Sequence, residues 1–395
     1  FTYVQGVNDH RFTFLAGNTL QETNWDSSFI LVSGIASDKI QTLNAGTDID
    51  VAISDKQGYV INSYFGRFNY DYKGKYLLLL NARYDGSSRF GKENRYGFFP
   101  SGSVGWRISD ESFLESADFL DDWKLRLSYG ITGNQEIANY ASRGILTVGT
   151  GTNTGSNYNN QTGGVIASLP SPNLKWEETT QFNLGTDVSL FNSRLNLTMD
   201  YYIKTTDDLL FLVPMPSTRG LGFKLENIGK MENRGFEFGV NGIIISNDNF
   251  NWNAGFNIAS NANKVLELMD DKDVIVMGAG GRSIARIGEP ISFYLYEREE
   301  FVNPDDGIIM IVDQDGSGGA PNDGDLILAG SPFPDFYGGL ANNMSFKNFD
   351  LSMFFQFSYG TEVYNATSSW IENLKLNDRT IIGTNTTQAA FDNRW

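Results

Sequence analysis

The sequence predicts an all-β protein, a transmembrane antiparallel β-barrel, and three observations carry that expectation. Twelve stretches alternate apolar and polar residues, each over about ten positions, the period-two signature of a strand with one greasy and one wet face. They come in pairs across short turns, whereas successive pairs are joined by long Gly-, Asn- and Ser-rich connections. Aromatics make up 14% of the 395 residues, and 42 Gly accompany them; that mixture suits strands and turns better than helices.

The pairs follow one another along the chain. Residues 1–5 and 11–20 flank Val7-Asn8-Asp9, and 61–72 and 75–85 flank Lys73-Gly74. Residues 96–109 and 123–132 flank an acidic link, and 178–191 and 194–204 flank Asn192-Ser193. Residues 232–246 and 250–261 flank Asn247-Asp248-Asn249, and 336–346 and 349–360 flank Lys347-Asn348. Two- and three-residue Asn, Asp and Gly links are what tight hairpins require. The faces are consistent: Tyr76, Leu78, Leu80, Ala82 and Tyr84 oppose Lys75, Asn81, Arg83 and Asp85.

The connections 133–175, 205–229 and 262–335 are different in kind, the first containing a low-complexity stretch at 149–164. Such loops argue against a compact soluble domain. An outer-membrane barrel has short periplasmic turns and long extracellular loops, with strands that cross roughly 30 Å of hydrocarbon at a tilt. Trp106, Trp123, Tyr201 and Trp252 are expected in interfacial girdles near strand ends.

Composition sets further bounds. No run of apolar residues is long enough for a transmembrane helix. A mean hydropathy of -0.29 is compatible with a barrel whose lumen face is polar. A net charge of -17 argues against a nucleic acid partner, which calls for clustered Lys and Arg. With no Cys, disulfides and thiolate metal sites are unavailable.

Few residues invite chemistry, and no enzyme is expected. His10 is the only histidine and reads as a solvated turn residue, not as a triad member. Adjacent acids at Asp121-Asp122, Glu177-Glu178, Asp270-Asp271 and Glu299-Glu300 would face opposite ways on a strand, unsuited to flanking a glycosidic bond. Asp313, Asp315, Ser317 and Asp325 resemble a calcium loop, with oxygens at alternating positions and Gly for the sharp turn. Its final Asp arrives one residue late, and a solvated acidic loop is the other reading. Tyr140, Tyr158, Trp176 and Trp370 lie in or beside loops, where they could stack on sugar rings, pack their own loop or meet a partner.

Five collinear segments carry a resemblance. They are Asn81–Gly91 (NARYDGSSRFG), Asn94–Leu114 (NRYGFFPSGSVGWRISDESFL), Leu169–Tyr202 (beginning LPSPNLKWEETT), Asn227–Val240 (NIGKMENRGFEFGV) and Gly330–Leu340 (GSPFPDFYGGL). Together they closely resemble the SusC/RagA family of TonB-dependent outer-membrane transporters of Bacteroidota. The resemblance implies a 22-stranded barrel, a size of outer-membrane transporter whose lumen is plugged. It also implies an N-terminal plug, a TonB box engaging the TonB-ExbB-ExbD complex, and a SusD-like surface lipoprotein as lid.

On that resemblance, residues 1–395 are expected to form part of the barrel, with the plug and the C-terminal strands lying outside the chain. The expected function is TonB-dependent import of a bulky nutrient, an oligosaccharide ahead of a peptide, through the outer membrane. No cofactor is expected beyond a structural calcium. Two other readings stay open: a ferric-siderophore TonB receptor, and a soluble or surface β-rich binding protein of adhesin or lectin type.

Overall fold

The structure, a computed structural model, describes residues 1–148, 163–216, 218, 220–269, 274–277, 283–302, 309–365, 367, 387 and 388. The chain divides into two units, Phe1–Arg234 with Phe238–Ile244, and Gly235–Glu237 with Ile245–Trp395.

In the first unit the strands are β1 (Thr2–Val7), β2 (His10–Ser33), β3 (Asp48–Tyr72), β4 (Tyr76–Ser87), β5 (Tyr96–Arg107) and β6 (Leu120–Asn134). They continue with β7 (Ile145–Val148), β8 (Gly164–Ser168), β9 (Glu177–Leu190), β10 (Leu195–Asp207), β11 (Leu210–Pro214), β12 (Phe223–Asn227) and most of β13 (Lys230–Ser246). The sheet is an up-and-down meander in the order β1-β2-β3-β4-β5-β6-β9-β10-β13. β7 pairs with β8 and β11 with β12, as separate ribbons within the long connections.

The turns explain the meander. Lys73 and Gly74 have φ of 58° and 70°, and the Lys75 N–H donates to the Tyr72 carbonyl at 3.0 Å. This two-residue turn has a twist that matches its strands. At the β9–β10 turn, Phe191, Asn192 and Ser193 all lie in the left-handed region, at φ of 60°, 59° and 58°. Ser193 N–H is held there by the Asp121 carboxylate at 2.8 Å.

Register fixes the faces. One row crosses six strands as Tyr70, Leu78, Val104, Leu127, Leu184 and Tyr201. One residue along, the opposite face carries Asp71, Leu77, Gly105, Arg126, Gly185 and Asp200. The apolar row stays bare: Val104 and Leu184 are each 48% exposed. That arrangement is costly in water and natural in lipid.

The largest departure from the sequence reading is length. β2 and β3 run 24 and 25 residues, well beyond the expected 11–20 and 61–72, or about 80 Å at strand rise. No clean alternation announces that stretch, because above Leu20 apolar residues fall on both faces: Trp25, Phe29, Leu31, Val51 and Ile53 on the face that is polar in the sheet, Ile30 and Ala52 on the other.

In the second unit, β14 (Phe250–Glu267), β21 (Phe336–Phe346) and β22 (Phe349–Tyr359) run antiparallel in that order. The connection between β14 and β21 carries β15 (Val274–Met277), β16 (Ser283–Arg286), β17 (Ser292–Tyr296) and β20 (Leu326–Gly330) as one small sheet. A ribbon of β18 (Arg298–Val302) and β19 (Ile309–Ile311) accompanies it. Read from sequence as one long loop, this connection lacks the long alternating runs that would announce a strand.

Candidate functional site

Three groups of side chains stand out on the first unit, and one on the second. The first lies on the polar face of the sheet. Arg126 on β6 donates through Nε to Asp187 Oδ2 at 2.7 Å and through Nη2 to Asp200 Oδ2 at 3.0 Å, reaching across β9 to β10. Nearer the long loops, Arg83 pairs with Asp85 at 2.6 Å and donates to the Ser63 hydroxyl at 3.0 Å. Arg67 donates to Asn81 at 2.8 Å. These cations are thus paired within the face that a barrel turns to its lumen.

The second group is a core built by the long loops. Phe90, Phe99, Ile137, Leu174 and Trp176 bury one another, with Leu174 only 2% exposed. Trp176 sits 5.1 Å from the Phe90 ring and 5.2 Å from Phe99, and its indole N–H donates to the Arg95 carbonyl at 2.9 Å. Beside it, the Arg89 guanidinium lies 4.0 Å above the Tyr59 ring and donates to Asn139 Oδ1 at 2.9 Å. A Cβ on Gly91 would run into the Pro172 carbonyl, so only glycine lets these two loops approach. Four core residues lie in segments that carried the family resemblance. Those segments therefore build a loop platform.

This settles one of the open loop aromatics. Trp176 is buried at 6% exposure and is not available to stack on a sugar. Tyr140 remains exposed, in the left-handed region at φ 63°. Tyr158, Trp370 and the pair Asp270-Asp271 lie outside the described residues, as do the side chains of Glu299 and Glu300.

The third group is an aromatic girdle at the short turns. Glu111, in the link after β5, accepts from Tyr76 Oη at 2.6 Å, from Trp106 Nε1 at 2.9 Å and from Lys75 Nζ at 2.8 Å. The Lys75 hydrogen bond, then those of Tyr76 and Trp106, hold its carboxyl down at about 2. His10 belongs to the same belt: its ring lies 4.7 Å from Tyr72, and Nδ1 is 2.8 Å from Tyr70 Oη. It is half-buried, not simply solvated, because it shares a strand face with Phe12 and Phe14. Tyr201, expected near a strand end, stands mid-strand opposite Leu184. The acids Asp121 and Asp122 point to separate partners, Ser193 N–H and Arg107.

On the second unit, Asp313, Asp315 and Asp325 bring carboxylate oxygens within 4.8 Å of one another. Gly316 and Gly318 are left-handed at φ 67° and 72° and let the loop fold around them. Both Asp325 oxygens accept backbone N–H groups, from Gln314 and Asn322 at 2.9 Å each. The Ser317 hydroxyl accepts from the Asn322 amide at 3.0 Å. Hydrogen bonds from Ser317 lower the carboxyl pKa of Asp315. The donor set is all oxygen, as a hard cation requires.

With this geometry in place, a family model described as "TonB dependent receptor-like, beta-barrel" matches residues 1–286. The chain belongs to the TonB-dependent receptor β-barrel family. It is a multi-stranded β-barrel chain of the bacterial outer membrane, of SusC/RagA type. TonB-dependent receptor P3 of Formosa agariphila is 35% identical over 93% of this chain and 38% of its own length. TonB-dependent receptor SusC of Bacteroides thetaiotaomicron is 37% identical over 76% of this chain and 31% of its own. The RagAB peptide importer in its closed-closed state superposes with a TM-score of 0.80 at 28% identity, over 94% of this chain and 42% of that one. The chain thus spans well under half the length of these relatives.

Proposed function

We propose that this chain supplies part of the barrel of a TonB-dependent importer that carries a bulky nutrient across the outer membrane. The observation that carries this reading is the two-faced sheet on a loop platform. An apolar face meets lipid, a polar face of paired cations lines the path, and SusC-type segments lock the loops above it. A SusD-like surface lipoprotein closes the path as a lid, and the TonB-ExbB-ExbD complex powers it through an N-terminal plug outside this chain. No bond of the substrate is made or broken. The acidic loop of Asp313, Asp315, Ser317 and Asp325 holds calcium.

The proposed substrate is an oligosaccharide. A peptide is the second reading, favoured by the likeness to the RagAB peptide importer. The experiment is uptake of fluorescent oligosaccharides and oligopeptides by cells carrying the full-length protein, with and without the proton-motive force. Energy-dependent uptake of either class supports import and names the substrate. Uptake that ignores the proton-motive force sinks the TonB-driven reading.

A further inference from the structure

Beside the buried core of the loop platform, the segment 171–175 and the strand β12 enclose a cavity of about 250 Å³. Pro172, Leu174 and Leu225 give it an aliphatic side. Leu174 belongs to the core and Leu225 packs against that core, so this side is fixed. The rest of the wall is held as firmly. Asn94 donates to the Asn173 carbonyl at 3.0 Å, and the Pro172 carbonyl lies where only glycine, at Gly91, leaves room. The Asn227 amide accepts from the Lys175 N–H and donates to the Lys175 carbonyl, both at 2.9 Å. The cavity is thus formed before any ligand arrives, as small-molecule sites usually are.

Its polar groups decide what it can hold. Ser171 lines the cavity at 4% exposure, and its hydroxyl has no hydrogen-bond partner among the described residues. A buried hydroxyl in that state is unfavourable and calls for a partner from elsewhere. The rim sets ammonium beside carboxylate: Lys224 pairs with Glu226, and Lys175 pairs with Asp208 at 2.6 Å. An ammonium offers several donors and a carboxylate several acceptor sites, so one pairing leaves both with capacity. Neighbouring hydroxyls, each donating and accepting at once, match such a rim.

An extended peptide matches it less well. Added as a strand along 173–175, it would find the Asn173 carbonyl, the Leu174 N–H and both Lys175 backbone groups already taken. The volume also lies below the roughly 300 Å³ at which whole drug-sized ligands begin to fit. One end of a larger molecule fits instead. We propose that this cavity is a sugar subsite of the importer, taking the terminal hexose of an oligosaccharide through its vicinal hydroxyls. The aliphatic side receives the C–H face of the ring, Lys175, Lys224 and Glu226 take hydroxyls at the rim, and Ser171 bonds one turned inward. This rests on the oligosaccharide reading under Proposed function and gives that substrate its contact residues.

The test uses the full-length transporter in detergent, with glucose, galactose and mannose as probes and trialanine as the comparison, read by saturation-transfer NMR. At least one hexose is expected to receive saturation. Lys224→Met and Glu226→Gln are each expected to weaken its binding at least about tenfold, because hydrogen bonds to charged groups are lost. The heat-modifiable mobility of the barrel is expected to stay unchanged. Ser171→Ala is expected to weaken binding too while the thermal midpoint holds or rises, since an unpartnered buried hydroxyl is removed. Hexose binding indifferent to all three substitutions, or trialanine bound in place of hexose and lost with them, overturns the proposal. A wild type that binds no hexose yet supports energy-dependent oligosaccharide uptake overturns the subsite and leaves the importer standing. Cells that take up no oligosaccharide overturn the reading on which the subsite rests.

Discussion

Gly185 stands opposite Arg126 in the β6–β9 ladder, and a Cβ there would lie 2.7 Å from the guanidinium carbon. The missing side chain is what lets Arg126 cross β9 and reach Asp200, which is Gly185's partner on the other side. Gly185→Val is therefore expected to separate Arg126 from Asp200 while leaving Asp187 within reach. The cost should be about 1–2 kcal/mol, below the buried-pair scale because water reaches the guanidinium. Thermal unfolding in detergent checks it, and an Asp200→Asn variant should show a loss of similar size.

Glu111 gives a pH dependence with a definite sign. Its carboxyl is held at about 2 in the folded protein, against an ordinary value of 4.5. Its contribution is thus complete above the ordinary value and is lost as pH falls through that window toward 2. Glu111→Gln should destabilise the protein at neutral pH and flatten the decline of the melting temperature between pH 5 and pH 2. A variant that declines as steeply as the wild type would remove Glu111 from the account.

Truncating the loop platform should loosen loops without opening the barrel. Trp176→Ala removes a side chain packed on Phe90 and Phe99, a change worth about 3–5 kcal/mol at a core site. Hydrogen exchange should rise around Phe90, Ile137 and Leu174, while the strands keep their protection.

The acidic loop yields a metal prediction. Calcium should raise the thermal midpoint of the full-length protein, and Asp325→Asn should abolish that rise. A midpoint indifferent to calcium and to chelator leaves only a solvated loop.

Much of the fold was legible because lipid imposes a strict two-face pattern, as in Leu78 and Leu80 against Asn81 and Arg83. The outer lengths of β2 and β3 were not, because beyond Leu20 apolar residues such as Phe29 and Ile30 fall on both faces. The loop platform escaped periodicity altogether: Trp176 meets Arg95, 81 positions away in sequence, and no local pattern announces such a contact. The calcium candidates were legible from spacing alone, and Asp313, Asp315 and Asp325 do converge. Of the three roles the sequence left open for Trp176, packing its own loop is the one it takes, at the centre of the core.

The account stands on one face meeting lipid and its neighbour lining water, and single-cysteine labelling, in a full-length protein whose other cysteines are replaced by serine, measures that directly; this chain itself holds none. Leu80→Cys and Asn81→Cys place a fluorophore on adjacent, opposite-facing positions of the full-length protein in bilayers. The predicted result is quenching of the Leu80 label by brominated lipid and not by iodide, and the reverse for Asn81. Equal iodide quenching at both positions would contradict the membrane-spanning barrel.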